Sequence, residues 1–265
     1  MQQRHLNRQI YFNELANTTR EFYIPYLRRF CEITAQCRVL EIGCGEGGNL
    51  LPFAEIGCRV TGIDCAATRI TQAGVFFEKA KCKARLVAID FFDFVKVEQD
   101  KYDIVLVHDV IEHIERDKKK DFVAEIKNVL AMDGIIFWGF PAWQMPFGGH
   151  QQICRSKICS KLPYIHLLPR KLYKFMLKMF GEDNSCVSEL VYIKSCRISI
   201  EAFEKITRDN AYCIVNRLLW FINPHYKQKF NLKPRKLNKT LAKIGYLRNF
   251  LSSSCFYITR NIESQ

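Results

Sequence analysis

Residues 39 to 48 read Val-Leu-Glu-Ile-Gly-Cys-Gly-Glu-Gly-Gly, a run whose types and spacing suit a nucleotide-like ligand. Apolar Val39, Leu40 and Ile42 lead into a turn carrying Gly43, Gly45, Gly47 and Gly48. Glycines placed this way let the backbone turn sharply and keep side chains out of the space between the N–H groups and a ligand. A helix-like stretch follows from Asn49, and its positive end points at the same place. A second group, His108-Asp109-Val110-Ile111-Glu112-His113, supplies acids and imidazoles, and His150 stands in Phe147-Gly-Gly-His-Gln-Gln. Asp109, His113 and His150 are the candidates for a proton-accepting group. An ordinary imidazole already titrates near neutral pH, and a placed base contributes ~10²–10⁴-fold to a rate.

Each of these residues also has a plainer reading. Glu41 serves equally as a loop-capping carboxylate, Asp64 as the cap of a helix starting near Ala66, and Phe91 and Phe92 as core. Glu112 can form a salt bridge within the fold. His113 can be structural at a helix start, and His150 can pin its loop to the sheet.

The elements that must position these groups follow from hydrophobic periodicity. Residues 7–33 read as helical, with Pro25 breaking the stretch into two helices. Strands are expected at Arg38 to Ile42, Arg59 to Ile63, Leu86 to Ile89, Ile104 to Val107 and Ile135 to Phe140. Between them lie helices at Leu50 to Ile56, Ala66 to Ala80 and Lys118 to Ala131, and a short helix or turn at Phe91 to Val97. Short apolar runs alternating with helices imply a parallel sheet buried on both faces. From Pro141 to Arg197 the order lapses, apart from a helix-like spacing over Leu172 to Phe180. A helix over Ile200 to Arg208 and strands near Cys213 to Leu219 and Cys255 to Thr259 restore it. The two late strands read as a hairpin closing the sheet edge.

The chain has 265 residues, 48% of them hydrophobic, enough for one large or two small domains. Its net charge of +13 falls wholly in the second half. Residues 1–150 hold 19 Lys/Arg against 20 Asp/Glu, and residues 151–265 hold 21 against 7. That asymmetry fits an anionic partner or simply a solvated basic surface, the second being the more ordinary reading. No run approaches the ~18 apolar residues of a membrane-spanning helix, and the N-terminus does not read as a secretory signal. Twelve scattered cysteines without a Cys-x-x-Cys pair imply reduced thiols and a cytoplasmic setting. Cys154 and Cys159 are too isolated to argue for zinc, and no residue is assigned as a metal ligand.

Gly43-x-Gly45-x-x-Gly48 with Asp64 some twenty residues on fits a dinucleotide fingerprint, which alone does not separate NAD from another adenosine cofactor. Three further features decide. Glu41 precedes the loop, Asp90-Phe91 ends the third strand, and the His108–His113 run ends the fourth. Together, residues 38–140 resemble the class I S-adenosylmethionine-dependent methyltransferases, and most of all the ubiquinone-pathway O-methyltransferases and their bacterial relatives. The resemblance implies an α/β, Rossmann-like fold with a seven-stranded, mostly parallel sheet, helices on both faces and the last strand antiparallel. It implies S-adenosylmethionine as cofactor, S-adenosylhomocysteine as product, and a cofactor set of Glu41, Gly43, Cys44, Gly45, Asp64, Cys65, Asp90, Phe91 and His108. In that set Asp64 holds the ribose hydroxyls, Cys65 lies along the adenine, Asp90 and the Phe91 backbone read the adenine edge, and His108 serves the methionine end. Some relatives hold a divalent cation with an acid-x-x-Glu-His run, a spacing that Asp109, Glu112 and His113 match.

The expected organisation is an N-terminal helical segment over the cofactor site (1–36), a methyltransferase domain (37–141 and 198–265), and an insertion (142–197) that caps the substrate side. The insertion is expected to wall the acceptor with Trp143, Phe147, Tyr164, His166, Tyr173 and Phe175, and to meet anions with Arg170, Lys171 and Lys174. Its Leu172 to Phe180 stretch reads as a cap helix with one face on the core, a membrane surface being the alternative. The expected partner is a small-molecule or lipid-linked acceptor methylated on oxygen. Nucleic acid is the rival that the basic half favours. Against it, no Asn/Asp-Pro-Pro-aromatic run ends the fourth strand, and Pro141 is followed by Ala142 and not by a cysteine nucleophile. An NAD-dependent oxidoreductase lacks a recognisable hydride-transfer acid after residue 140. A non-catalytic cofactor-binding protein is the third alternative.

Overall fold

The structure, a computed structural model, describes residues 8–262. Five strands run parallel: β1 (Arg38–Ile42), β2 (Arg59–Asp64), β3 (Arg85–Ala88), β4 (Tyr102–His108) and β5 (Leu130–Phe140). The sheet continues through β8 (Ser254–Asn261), antiparallel to both β5 and β6 (Tyr212–Ile222), and ends on β7 (Arg235–Lys236). The strand order is β3-β2-β1-β4-β5-β8-β6-β7. Seven strands were expected and eight form, the addition being the two-residue β7 at the edge. β8 is not an edge strand. Its first six residues are all buried, whereas β6 alternates between buried and exposed positions. The long 223–253 connection lets β8 return between β5 and β6, so the two are not joined by a tight turn.

Alternation along β4 distributes the core to both faces. Val105 and Val107 join Leu40, Trp138 and Phe122 on one side, while Ile104 and Leu106 join Val39, Phe53 and Phe137 on the other. The covering helices are α3 (Leu51–Ile56), α4 (Ala67–Lys79), α5 (Phe91–Val97) and α6 (Lys119–Glu125). α6 is shorter than the apolar pattern suggests. The Tyr102 N–H donates to the Val129 carbonyl at 2.8 Å, which draws Leu130 into the sheet and starts β5 early.

At the N-terminus, α1 (Arg8–Thr18) passes through a five-residue π-helical turn (Thr19–Tyr23) into α2 (Ile24–Leu27). Pro25 does not break the stretch. It falls in the first turn of α2, where a missing N–H costs nothing, and the wider π turn precedes it.

The 142–197 segment carries α7 (Arg170–Met179) and α8 (Asn184–Cys196) and a small core of its own, with Trp143, Cys159, Tyr173, Leu177 and Leu190 buried together. α7 turns Tyr173 and Leu177 inward and leaves Phe175 and Met179 exposed. α9 (Ile200–Asp209) then returns to the sheet, and α10 (His225–Phe230) and α11 (Leu247–Leu251) lie in the last connection.

Trp138 tests the interior position of β8, because its indole N–H donates to Thr259 Oγ1 at 2.9 Å with the ring fully buried. Trp138→Ala should lower the unfolding free energy by about 3–5 kcal/mol. Thr259→Val, which leaves the indole N–H unpaired, should cost about 1–3 kcal/mol. Met132→Ala, at an exposed position, should stay within about 0.5 kcal/mol of the parent. Urea denaturation midpoints check all three, and equal losses would contradict the placement.

Candidate active site

The glycine loop stands at the C-terminal ends of β1 and β2, the edge where open parallel sheets bind ligands. Gly43, Gly45 and Gly47 all take left-handed φ, at +70°, +53° and +80°. A side chain at Gly43 would strike Val110 at 2.6 Å, so the β4 connection packs directly over the loop. A side chain at Gly45 would meet nothing within 4 Å, which leaves an open cradle there. Asp64 fixes the loop: its carboxylate accepts from the Gly45 N–H at 2.9 Å and from the Ala66 N–H at 2.8 Å. It therefore caps the start of α4, the plainer reading of that residue, while each oxygen keeps a lone pair for a ligand.

Glu41 is buried beneath the loop. One oxygen accepts from Asn49 Nδ2 at 2.7 Å, and the other has no partner. Burial pushes its pKa up to about 8. Cys44 is buried at the β1–β2 junction, its N–H donating to the Ile63 carbonyl. Cys65 is exposed at the mouth, its thiol 3.7 Å from Asp90. Asp90 caps α5 through the Phe92 N–H at 2.8 Å. The Phe91 ring is core, packed edge-on against Phe122. Its side chain takes the plainer role, leaving the backbone at the cleft.

At the end of β4 the chain turns through Asp109, a non-glycine residue at φ +55°. His108 is buried between two partners. Nδ1 lies 3.3 Å from Asp109, and Nε2 shares a hydrogen bond with the Tyr23 hydroxyl at 2.8 Å. Burial lowers the His108 pKa, but the Asp109 charge outweighs it and the net shift is upward. The same pair holds Asp109 below its ordinary value against its own burial. Gly139 is required beside this ring, since a Cβ there would lie 2.2 Å from His108 Cδ2.

Glu112, His113 and His150 converge. Their ligand-type atoms all lie within 4.8 Å of one another, and the two imidazole rings meet edge to face at 4.9 Å. Neither Glu112 oxygen has a hydrogen-bond partner. Burial, then the Asp109 charge, drives the Glu112 pKa well up. Burial brings His113 down to about 4 and lowers His150 as well. The three sit in a cavity of about 420 Å³ that runs from Glu46 on the glycine loop past Arg69 of α4 to Phe147 and Ile153. Buried Lys119 holds the turn that carries them, donating to the carbonyls of Ile111 and Ile114. Sequence reasoning did not single out Lys119. Its only signal is a basic residue at a helix start, where acids are the rule.

The acid-x-x-Glu-His spacing grouped Asp109 with Glu112 and His113; all three line the cavity, Asp109 also pairs with His108, and the ligand-type atoms that converge within 4.8 Å are those of Glu112, His113 and His150. One expectation is corrected. The insertion's aromatics do not gather around this cavity; of those named, only Phe147 lines it. His166 is fully buried, bonded to the Trp143 carbonyl at 2.8 Å, and Tyr173 is core. Tyr164 and Phe175 are exposed, and Arg170 and Lys174 line separate clefts. Met145, Ile153 and Tyr226 line the cavity instead.

Residues 39–134 match the family model described as a methyltransferase domain. Over 80 residues, or 29% of this chain, it is 40% identical to the ubiquinone biosynthesis O-methyltransferase of Rhodopseudomonas palustris, whose match spans 30% of that protein. An uncharacterised Rickettsia prowazekii protein is 29% identical over 136 residues, covering 46% of this chain and 54% of its own. The chain thus spans under a third of the O-methyltransferase relative. Two solved structures share the fold. A Synechocystis magnesium protoporphyrin IX methyltransferase with bound S-adenosylhomocysteine has TM-score 0.56 at 13% identity, over 94% of this chain and 83% of that one. A Clostridium acetobutylicum S-adenosylmethionine-dependent methyltransferase has TM-score 0.57 at 11% identity, over 92% and 91%. Residues 39–134 thus carry a methyltransferase domain, and the solved structures share its fold. Over the matched 80 residues the chain is similar to the ubiquinone biosynthesis O-methyltransferases.

Glu41 gives a pH test of this site. Its folded pKa lies near 8, above the ordinary carboxylate value of 4.5. The neutral acid is therefore favoured on folding, and that stability, complete below pH 4.5, is lost as pH rises through 8. Glu41→Gln keeps the acceptor for Asn49 and cannot ionise. Without cofactor, the variant should melt higher than the parent at pH 8.5 and near it at pH 5. A parallel pH dependence in both proteins would contradict the burial of an ionisable group there.

Proposed function

We propose that this chain transfers a methyl group from S-adenosylmethionine to an oxygen of a small or lipid-linked metabolite, with the acceptor held in the cavity beside the β4 turn. The observation that carries this reading is the continuity of that cavity from the glycine loop to Glu112, His113 and His150. That cavity takes in Glu46 of the glycine loop together with groups able to receive a proton.

Asp64 would add the ribose hydroxyls to its two backbone bonds, and the open face at Gly45 leaves room for the methionine tail. Glu41, His108 and Cys44 lie under or behind the loop and shape it. Asp90 and the Phe91 backbone stand where the adenine edge would fall, with Cys65 beside them. The ionised Asp109 suits a sulfonium cation. Transfer is an in-line displacement, so alignment and exclusion of water supply most of the effect, roughly 7–11 kcal/mol when well arranged. His113, which still reaches solvent in the cleft, and the half-buried His150 are both shifted below the ordinary imidazole value, which leaves a lone pair for the acceptor's hydroxyl proton. The 142–197 segment closes the substrate side as a cap, and residues 8–36 cover the cofactor side. Exposed Leu172, Phe175 and Met179 among lysines on α7 support an acceptor presented at a lipid surface.

A divalent cation also fits the cluster. Two unsatisfied carboxylate oxygens and two neutral imidazoles form an oxygen–nitrogen donor set of the ordinary kind. Such an ion would supply Lewis acidity at the acceptor oxygen. Glu112, His113 and His150 would hold it, and Lys119 would keep the turn in place.

Three measurements check this reading. S-adenosylhomocysteine at ~100 Kd should stabilise the chain by about 2.7 kcal/mol in thermal unfolding, while NAD should do nothing. Asp64→Ala should weaken S-adenosylhomocysteine binding about ten- to a hundredfold by calorimetry, and unchanged affinity would remove the ribose assignment. With a catechol or other phenolic acceptor, His113→Ala or His150→Ala should lower kcat by about 10²–10⁴-fold and leave the cofactor affinity intact. The acid limb of kcat/KM should fall near pH 4, because protonation of His113 removes its lone pair only there. A limb near 6.5 would assign the proton to another group.

A further inference from the structure

The insertion brings together groups that the sequence keeps far apart. Cys154, Cys159 and Glu182 are buried, and their sulfur and carboxylate oxygen atoms all lie within 4.8 Å of one another. Cys186, four residues past Glu182, faces the same group. Burial raises its thiol to about 11, with the Glu182 carboxylate and the Cys154 thiol also acting on it. Tyr173 points its hydroxyl into this region. The side chain is fully buried, the hydroxyl has no partner, and all three thiols act on it.

The backbone already holds the group in place. Glu182 accepts from the N–H of Arg155 at 3.0 Å and of Ser156 at 2.9 Å, one bond to each oxygen. Arg155 pairs with Asp183 at 2.8 Å, and the Ser156 hydroxyl accepts from the Cys159 N–H at 3.2 Å. Each Glu182 oxygen keeps a free lone pair. Among the described residues no basic side chain forms an ion pair with this buried carboxylate.

We propose that Cys154, Cys159, Glu182 and Cys186 form a structural zinc site within the insertion. The spacings, Cys-x₄-Cys and Glu-x₃-Cys, are those of short-loop ligand pairs, and thiolate sulfur with one carboxylate suits zinc better than a hard cation. Zinc–sulfur bonds of about 2.3 Å at tetrahedral angles set ligand atoms about 3.8 Å apart, so the spread of up to 4.8 Å among Cys154, Cys159 and Glu182 closes by about an ångström on binding, and Cys186 turns in as the fourth ligand. Thiols release their protons on coordination. Tyr173 then donates its unpartnered hydroxyl to a thiolate, and the ion binds the Glu182 carboxylate. The site staples the loop after His150 to the start of α8, and so braces a small core that also contains Trp143 and Tyr173. This is separate from Glu112, His113 and His150, and stands whether or not the chain transfers methyl groups.

The test uses the full chain, purified without chelator and loaded with either zinc or cobalt(II). In a Glu112→Gln/His113→Ala background one zinc ion per chain should survive gel filtration, be lost on adding Cys154→Ser/Cys159→Ser, and be kept on adding the control Cys213→Ser. The cobalt form of the parent should show the thiolate-to-metal charge-transfer band in the near ultraviolet that oxygen and nitrogen ligands do not give. This readout needs no variant to fold. In that background the cysteine variant should also unfold at lower temperature than the zinc-loaded Glu112→Gln/His113→Ala chain and not respond to zinc. A cobalt form without the thiolate band, zinc lost with His113 and kept without Cys154 and Cys159, or a Cys154–Cys159 disulfide in chain purified under reducing conditions would each overturn the proposal.

Discussion

Asp64 ties the glycine loop to the helix that follows β2, and the cofactor side of the structure depends on that clamp. Its two oxygens take the Gly45 and Ala66 N–H groups, so one carboxylate sets both the loop's shape and the start of α4. The left-handed turns at Gly43, Gly45 and Gly47 would otherwise be a flexible run. With the clamp in place, Val110 from the β4 turn packs over Gly43, and the two chemical ends of the site come into register. The sheet supplies the frame: β1 and β4 are paired neighbours, so the turns that leave their C-terminal ends emerge side by side.

Burial then separates the acids into two kinds. Asp109 stays ionised because His108 stands against it, and the Tyr23 hydroxyl completes that chain. Glu41 and Glu112 have no such cation, and both are pushed upward by desolvation. The histidines of the cluster move the other way for the same reason, since burial disfavours their charged form. Glu41, Glu112 and the two histidines of the cluster are therefore shifted toward neutral forms, while Asp109 keeps its charge beside His108.

Much of the fold was legible because local signals agreed. β1 runs over the residues that its apolar pattern marks, and β2, β3 and α4 fall within a residue or two of theirs. Antiparallel β8 and helix-forming 170–179 were likewise marked by short-range periodicity. Where tertiary forces decide, the reading failed. Leu130 and Ala131 suit a helix or a strand equally, and pairing with Tyr102 settled the matter. Pro25 signals a break only if the preceding turn is α-helical, and here it is wider. α8 had a readable start in Asp183, which caps Cys186, followed by inward Val187, Leu190 and Val191; the surrounding irregularity hid it. For the site, the spacing of 109, 112 and 113 marked three residues that line one cavity at the β4 turn, but it could not show that Asp109 also pairs with His108. His150 reaches Glu112 only through the folded loop, and Glu182 reaches Cys154 in the same way. No local spacing carries contacts of that separation.

A crystal structure of the chain with S-adenosylhomocysteine would decide the cofactor assignment outright. The ribose hydroxyls should lie within hydrogen-bonding distance of Asp64, the adenine edge at Asp90 and Phe91, and the homocysteine sulfur should face the cavity that holds His113 and His150. A nucleoside bound elsewhere, or a cleft at the ends of β1 and β2 filled by the chain's own side chains, would contradict it.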